Sequence, residues 1–314
     1  MQNSVQPVLQ QVKKVIIGKD LIIEKVLMAI LAKGHILLED VPGVGKTTLA
    51  LAFSKALGLE YKRIQFTSDT MPSDVTGFSI FNKTKGAFEY RQGPVTTNIL
   101  LAEEINRTSS KTHGALLEAM EEKQVTVDGV THTLPQPFFV LATQNPVGSA
   151  GTQLLPSSQL DRFMLKLKMG YPDFKEQVSI LKERHTENPL KKVETVLNTQ
   201  KVLQLQKQVD NVYIDDSIYE YITTLTEQTR NNSSVELGVS PRGALAVCNI
   251  AKAAAFLSDR DYVIPQDVDK VFCSTTAHRL VLSRKAKISN VSAEDVINEI
   301  LENTDKPSLS VQGV

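Results

Sequence analysis

Tryptophan is absent from this chain of 314 residues, aromatic residues make up 6% of it, and there are only two cysteines, Cys248 and Cys273. The cysteines have no zinc-type spacing and sit inside apolar periodic stretches, so buried free thiols of a cytosolic protein are expected. Five scattered histidines form no Cys/His cluster, which argues against a zinc site. A charge excess of either sign is also missing: 35 Lys and Arg balance 35 Asp and Glu. A neutral chain lacks the broad basic field that holds duplex DNA, so nucleic acid is not an expected partner. No apolar run approaches the ~18 residues of a membrane-spanning helix. The opening "MQNSVQPVLQQVKK" has neither the apolar core nor the small-residue cleavage site of a signal peptide, and a cytoplasmic location is expected. What remains is ordinary globular material, 41% apolar and 22% charged, long enough for one large domain or two smaller ones.

The first half alternates strand-like and helix-like segments. "HILLED" (35–40), "YKRIQF" (61–66), "NILLAE" (98–103), "PFFVLAT" (137–143) and "FMLKLKM" (163–169) read as strands. "KTTLALAFSKALG" (46–58) and "KTHGALLEAMEEK" (111–123) have helical periodicity. This alternation predicts an α/β fold with a parallel, doubly wound sheet. Two hairpins interrupt it. One, 124–134, turns at Asp128-Gly129. The other, 76–94, carries Phe78, Phe81, Phe88 and Tyr90, for which packing on the body of the domain is one reading. From about residue 190 strand signals vanish and helical candidates follow at 199–209, 216–231, 241–257, 266–281 and 292–303. The expected division is an α/β domain over 1–190 and an all-helical domain over 191–314.

Between the first strand and its helix lies Pro42-Gly43-Val44-Gly45-Lys46-Thr47, followed by Thr48. A loop that closes backbone N–H groups around phosphate oxygens needs residues as small as Gly43 and Gly45. In such a phosphate loop Lys46 reaches the β- and γ-phosphates and the Thr47 hydroxyl ligates Mg²⁺. The segment departs from G-x-x-x-x-G-K-[ST] at Asp40, where the first Gly is usual.

A phosphate loop of this kind works with a second strand that ends in an acid holding Mg²⁺. "NILLAEEINR" (98–107) has that form, with Glu103 at the metal position and Glu104 placed to deprotonate an attacking water. The plainer alternative is two solvated acids at a strand end. Asn145, after "VLATQ", is a candidate to hold that water or the γ-phosphate. Arg162 in "QLDRF" is a candidate cationic finger, with a local pair to Asp161 as its rival. Arg242 in "GVSPRGAL" follows a helix start in which Ser240 is the N-cap and Pro241 the first residue, so it stands in the first turn, where it could reach a nucleotide's phosphates.

Taken together, "LLEDVPGVGKT", "LLAEEINR", "LLEAMEE", "VLATQNP", "LDRFM" and "SPRGAL" resemble, in order and spacing, the signatures of the MoxR family of AAA+ ATPases. The resemblance covers nearly the whole chain. It implies a central sheet of strand order 5-1-4-3-2 followed by a helical lid, ATP and Mg²⁺ as cofactors, and Asn145 and Arg242 in the roles called sensor 1 and sensor 2. It makes the 74–94 hairpin the helix-2 insert and 124–134 the hairpin before sensor 1. Ile17 and Gly18 of "VIIGKD" would lie against the adenine, and Arg162 would act on the ATP of a neighbouring subunit. That role requires a homo-oligomer, a hexameric ring, of the kind that remodels or activates partner proteins, among them proteins with von Willebrand factor A domains. This sequence departs from the family pattern at Glu103, where the family has Asp. A magnesium-chelatase-like motor subunit and a nucleotide-gated scaffold with weak hydrolysis are the alternatives.

Overall fold

Five of the apolar runs collect into one parallel sheet. The computed structural model describes residues 5–145, 152–186 and 188–307; Pro146 of "VLATQNP" lies outside them. The sheet strands are β1 (Ile36–Glu39), β2 (Tyr61–Gln65), β3 (Ile99–Glu103), β4 (Phe139–Gln144) and β5 (Leu165–Leu167). They are ordered β2-β3-β4-β1-β5, the expected 5-1-4-3-2 read from the other edge, with every neighbouring pair parallel. Position in the sheet follows composition. The central strands β3 and β4 are buried at every residue, as strands covered by helices on both faces must be. The edge strands β2 and β5 admit Lys62, Arg63 and Lys166.

Register then sets the site. Glu39 pairs with Gln144 across β1 and β4, and Ala102 pairs with Ala142 across β3 and β4. The carboxyl ends of β1, β3 and β4 therefore form one row, and the segments that leave them face a common crevice.

Both hairpins form, Gly77–Asn82 with Ala87–Gln92 and Gln124–Val127 with Val130–Thr133. The aromatics of the first do not bury themselves on the domain. Phe78, Phe81 and Phe88 are 48, 49 and 73% exposed. Phe81 and Phe88 meet each other edge to face, while Tyr90 stacks on His132 of the second hairpin at 3.8 Å between ring centroids.

The later helices are Thr199–Asp210, Asp216–Asn231, Pro241–Leu257, Pro265–Thr276 and Ala293–Asn303, with a short Arg284–Ile288 between the last two. Two expectations need correction here. The helix read as 266–281 ends at Thr276, because residues 277–279 tighten into a 3-10 turn. Strand structure also persists past 190, in an antiparallel ribbon of Val235–Leu237 with Val281–Leu282. Strands of three and two residues are too short to show an alternating pattern. The helix Asp20–Leu31, ahead of β1, packs on Pro241–Leu257 and Thr199–Asp210, and Gln206 donates to the Ile30 carbonyl at 2.7 Å.

Cys248 and Cys273 are free thiols, half-buried rather than fully so, and burial pushes both thiol pKa values up. Among the described residues no helix is long and apolar enough to cross a membrane.

Candidate functional site

The loop between β1 and the helix Lys46–Leu57 turns through two left-handed glycines, Gly43 (φ 88°) and Gly45 (φ 100°). An L side chain is strained in that region, and successive turns of this kind aim backbone N–H groups into one concavity. A Cβ on Gly43 would meet nothing within 4 Å, and one on Gly45 only the Met169 Cε at 3.9 Å. The space over the loop is thus available to a bulky anion, and the loop fits a polyphosphate.

Lys46 Nζ donates to the carbonyls of Asp40 at 2.8 Å and Val41 at 3.1 Å, which holds the ammonium inside the loop. Burial lowers its pKa, and Asp40, Glu103 and Glu104 oppose that shift. Asp40, the departure from the glycine pattern, is buried and has a structural use. One carboxylate oxygen accepts from the Val41 N–H at 3.0 Å. The other accepts from the N–H groups of Met169 at 2.6 Å and Gly170 at 2.7 Å, tying the start of the loop to the chain leaving β5.

At the end of β3 the two acids separate. Glu103 is buried, and its Oε1 accepts from the Thr47 hydroxyl at 2.8 Å while its Oε2 pairs with Arg63 of β2. A hydroxyl beside a carboxylate is a hard-oxygen donor set, suited to Mg²⁺ that takes its remaining ligands from phosphate and water. Glu104 leaves the strand in a left-handed conformation (φ 55°, ψ 45°). For a residue other than glycine that costs about 1 kcal/mol or more and persists only where the surroundings enforce it. Here the Glu104 N–H is held by the Thr143 hydroxyl of β4 at 3.0 Å, and Glu104 Oε2 lies 2.9 Å from Arg107 Nε. The twist points adjacent residues to different uses: Glu103 stays with Thr47, and Glu104 turns to the crevice.

Gly43, Lys46, Thr47, Glu103, Glu104 and Asn145 all line one cavity of 330 Å³, with Pro42, Gly45, Thr48 and Arg63 also on its wall. Asn145 is buried, and its carbonyl accepts from Asn106 at 3.2 Å. A second cavity, of 240 Å³, shares the Pro42–Gly45 wall and is lined by Ile17, Val44 and Tyr171. Gly18 does not line it. That residue is left-handed (φ 72°), and a Cβ there would collide with the Glu176 side chain.

Two of the expected site residues are elsewhere. Arg162 and Arg242 line neither cavity. Both pair with Glu121, near the end of the helix Ser110–Glu122, and Arg162 Nη2 lies 3.2 Å from its Oε2. The rival reading of Arg162 also fails, because Asp161 is taken by Arg279 at 2.7 Å and by the Ser240 hydroxyl at 3.0 Å. The lid therefore does not bring Arg242 to the phosphate loop of its own chain.

Residues 35–165 match the family model described as "ATPase family associated with various cellular activities (AAA)", and residues 227–300 match the AAA lid domain. The protein YeaC of Bacillus subtilis is 50% identical over 310 residues, covering 98% of this chain and 97% of that one. Chaperone MoxR1 of Mycobacterium tuberculosis is 38% identical over 309 residues, 96% of this chain and 81% of that one. The chain belongs to the MoxR family of AAA+ ATPases. A crystal structure of a protein from Cytophaga hutchinsonii superposes on this MoxR-type fold with a TM-score of 0.91 at 37% identity, covering 98% of this chain and 96% of that one.

Several residues of these two cavities and of the lid contact carry no motif in the sequence. Arg63 was visible only as part of a strand, although the period of two in "YKRIQF" places Tyr61, Arg63 and Gln65 on one face. Tyr171 and Met169, which close the second cavity, follow β5 without any motif. Arg279 gave no local signal. It is 4% exposed, and it donates to Asp161, to the carbonyls of Asp161 and Phe163 at 3.0 and 2.9 Å, and to that of Thr275, joining lid to sheet.

Proposed function

We propose that this chain binds ATP with Mg²⁺ and hydrolyses it to ADP and phosphate, and that it does so as an oligomeric ring that remodels or activates partner proteins. The observation that carries the catalytic reading is the Thr47–Glu103 contact at 2.8 Å, which joins the phosphate loop to the β3 acid, with Glu104 and Asn145 on the same cavity wall. Thr47 and Glu103 would hold Mg²⁺, which when bound neutralises developing phosphate charge. Lys46 and the loop N–H groups bind and orient the β- and γ-phosphates. Glu104 accepts a proton from the attacking water, and Asn145 fixes that water or the γ-phosphate. Ile17, with Val44 and Tyr171, packs against the base.

The experiment is titration of a fluorescent ATP analogue into wild type and Lys46→Ala. Loss of the one ammonium among the phosphates is expected to abolish binding. Unchanged affinity would remove the phosphate loop from the reading.

The ring rests on Arg162 and Arg242. Two cations that stand together outside their own nucleotide cavity suit the phosphates of a neighbouring subunit, and AAA+ chains usually assemble. A hexamer in the cytoplasm, acting on protein clients such as those with von Willebrand factor A domains, is the fullest form of the proposal. The α/β unit would run to about residue 190 and the lid from there to 314.

The contact between Arg63 and Glu103 favours a second reading, a nucleotide-gated scaffold with weak hydrolysis, because it engages the carboxylate oxygen that Thr47 does not. ATPase rate against Mg²⁺ concentration separates the two. Glu103→Asp is expected to retain Mg²⁺-dependent binding and to keep or raise turnover. Glu103→Ala should lose most Mg²⁺ dependence, since Thr47 alone must then fix the ion. If Ala follows wild type across the titration, Glu103 is only a strand-end acid.

A further inference from the structure

The segment "LLEAMEE" supplies nothing to either nucleotide cavity, yet Glu121 within it is the meeting point of both expected arginines. Arg162 Nη2 lies 3.2 Å from Oε2, and Arg242 Nη2 donates to Oε1. One carboxylate thus uses a separate oxygen for each guanidinium.

The backbones behind the two arginines are joined as well. Asp161, immediately before Arg162, accepts from the hydroxyl of Ser240 at 3.0 and 3.2 Å. Ser240 is the N-cap of the helix Pro241–Leu257, whose second residue is Arg242, and its hydroxyl also accepts from the Gly243 N–H at 3.1 Å. Buried Arg279 also pairs with the same carboxylate, at 2.7 Å. Asp161 therefore fixes where the two arginine-bearing segments start, and Glu121 fixes where their side chains end.

Two guanidinium groups brought side by side repel each other, and a single carboxylate between them relieves that repulsion while leaving one net positive charge. Arg162, Arg242 and Glu121 all keep partial exposure, with side chains 31, 52 and 28% accessible, so the pair faces outward.

We propose that Glu121 is a positioning residue that holds Arg162 and Arg242 as one two-arginine unit for the phosphates of a nucleotide on a neighbouring copy of the chain. The inference rests on the reading that Arg162 acts across a subunit boundary. Glu121 itself touches no substrate. Its part is to set the spacing of the two cations before they meet phosphate, so its loss should show in turnover and not in the affinity of the chain's own ATP cavity.

The test uses the full chain with Glu121→Gln, Glu121→Asp, Arg162→Ala, the double variant Arg162→Ala/Arg242→Ala, and Glu104→Gln. Glu121→Gln should keep wild-type affinity for a fluorescent ATP analogue and lose about tenfold or more in kcat, the scale of misplacing groups that must be aligned. Glu121→Asp, too short to span both arginines, should fall between it and wild type. In an Arg162→Ala/Arg242→Ala background, adding Glu121→Gln should cost nothing further, because no pair is left to position. Mixing Glu121→Gln with Glu104→Gln chains should restore turnover, since interfaces form in which an intact Glu104 faces an intact arginine unit. A role confined to the stability of its own subunit predicts no such rescue. If Arg162→Ala is inactive while Glu121→Gln matches or exceeds wild type, the inference about Glu121 is overturned and the reading of Arg162 stands. If Arg162→Ala is itself as active as wild type, the reading beneath it fails first.

Discussion

Glu104→Gln is expected to bind ATP with wild-type affinity and to hydrolyse it at least about 10²-fold more slowly, as on removal of a catalytic base. The amide keeps the shape of the side chain and its capacity to hydrogen-bond. It cannot accept a proton from water, and it ends the charge pairing with Arg107 seen at 2.9 Å. The backbone that turns this residue toward the crevice is held by Thr143 through a main-chain N–H, which the substitution leaves alone. Phosphate release measures the turnover and a fluorescent ATP analogue the affinity. A collapse of binding with normal residual turnover would mean that the roles of Glu103 and Glu104 are exchanged. The variant is useful in its own right, because a chain that holds ATP without cleaving it is the natural bait for capturing protein clients.

Arg162→Ala is expected to leave ATP affinity near wild type and to cut turnover on the order of 10³-fold, the worth of an arginine that stabilises transition-state charge in related hydrolases. The affinity is spared because Arg162 lines neither cavity of its own chain. Asp161 does not compete for the explanation, since it is engaged by Arg279 and Ser240. Mixing Arg162→Ala with Glu104→Gln chains tests the direction of action. Each is inactive alone, but a mixed assembly contains interfaces where wild-type Glu104 faces wild-type Arg162, and turnover should return with a maximum at intermediate ratios. The absence of rescue at any ratio would place Arg162 in its own subunit and remove the main support for a ring.

The residues that line the candidate cavity were legible in the sequence because its parts are local. A left-handed glycine turn, the lysine and threonine of the following helix, and acids at the end of an apolar strand each need only a few consecutive residues to declare themselves. Strand order followed from the resemblance, and the helices read at 199–209, 216–231 and 241–257, the last with its Ser240 cap, are found at Thr199–Asp210, Asp216–Asn231 and Pro241–Leu257. The helix Asp20–Leu31 drew no expectation, because "DLIIEKVLMAIL" is apolar nearly all round and shows no stripe.

What only the tertiary structure decided are contacts between segments far apart in the chain. The bond from Asp40 to the Met169 and Gly170 amides spans 129 and 130 positions, and it turns an apparent defect of the phosphate loop into its anchor. Arg63 reaches Glu103 because β2 lies beside β3, and the Glu103 side chain touches both Thr47 and Arg63. Arg162 and Arg242 were each identifiable from sequence as charged residues at a loop or helix start, but their shared partner was not. A side chain's type fixes which charge it seeks, while the packing of lid on sheet, through buried Arg279, fixes which carboxylate it finds.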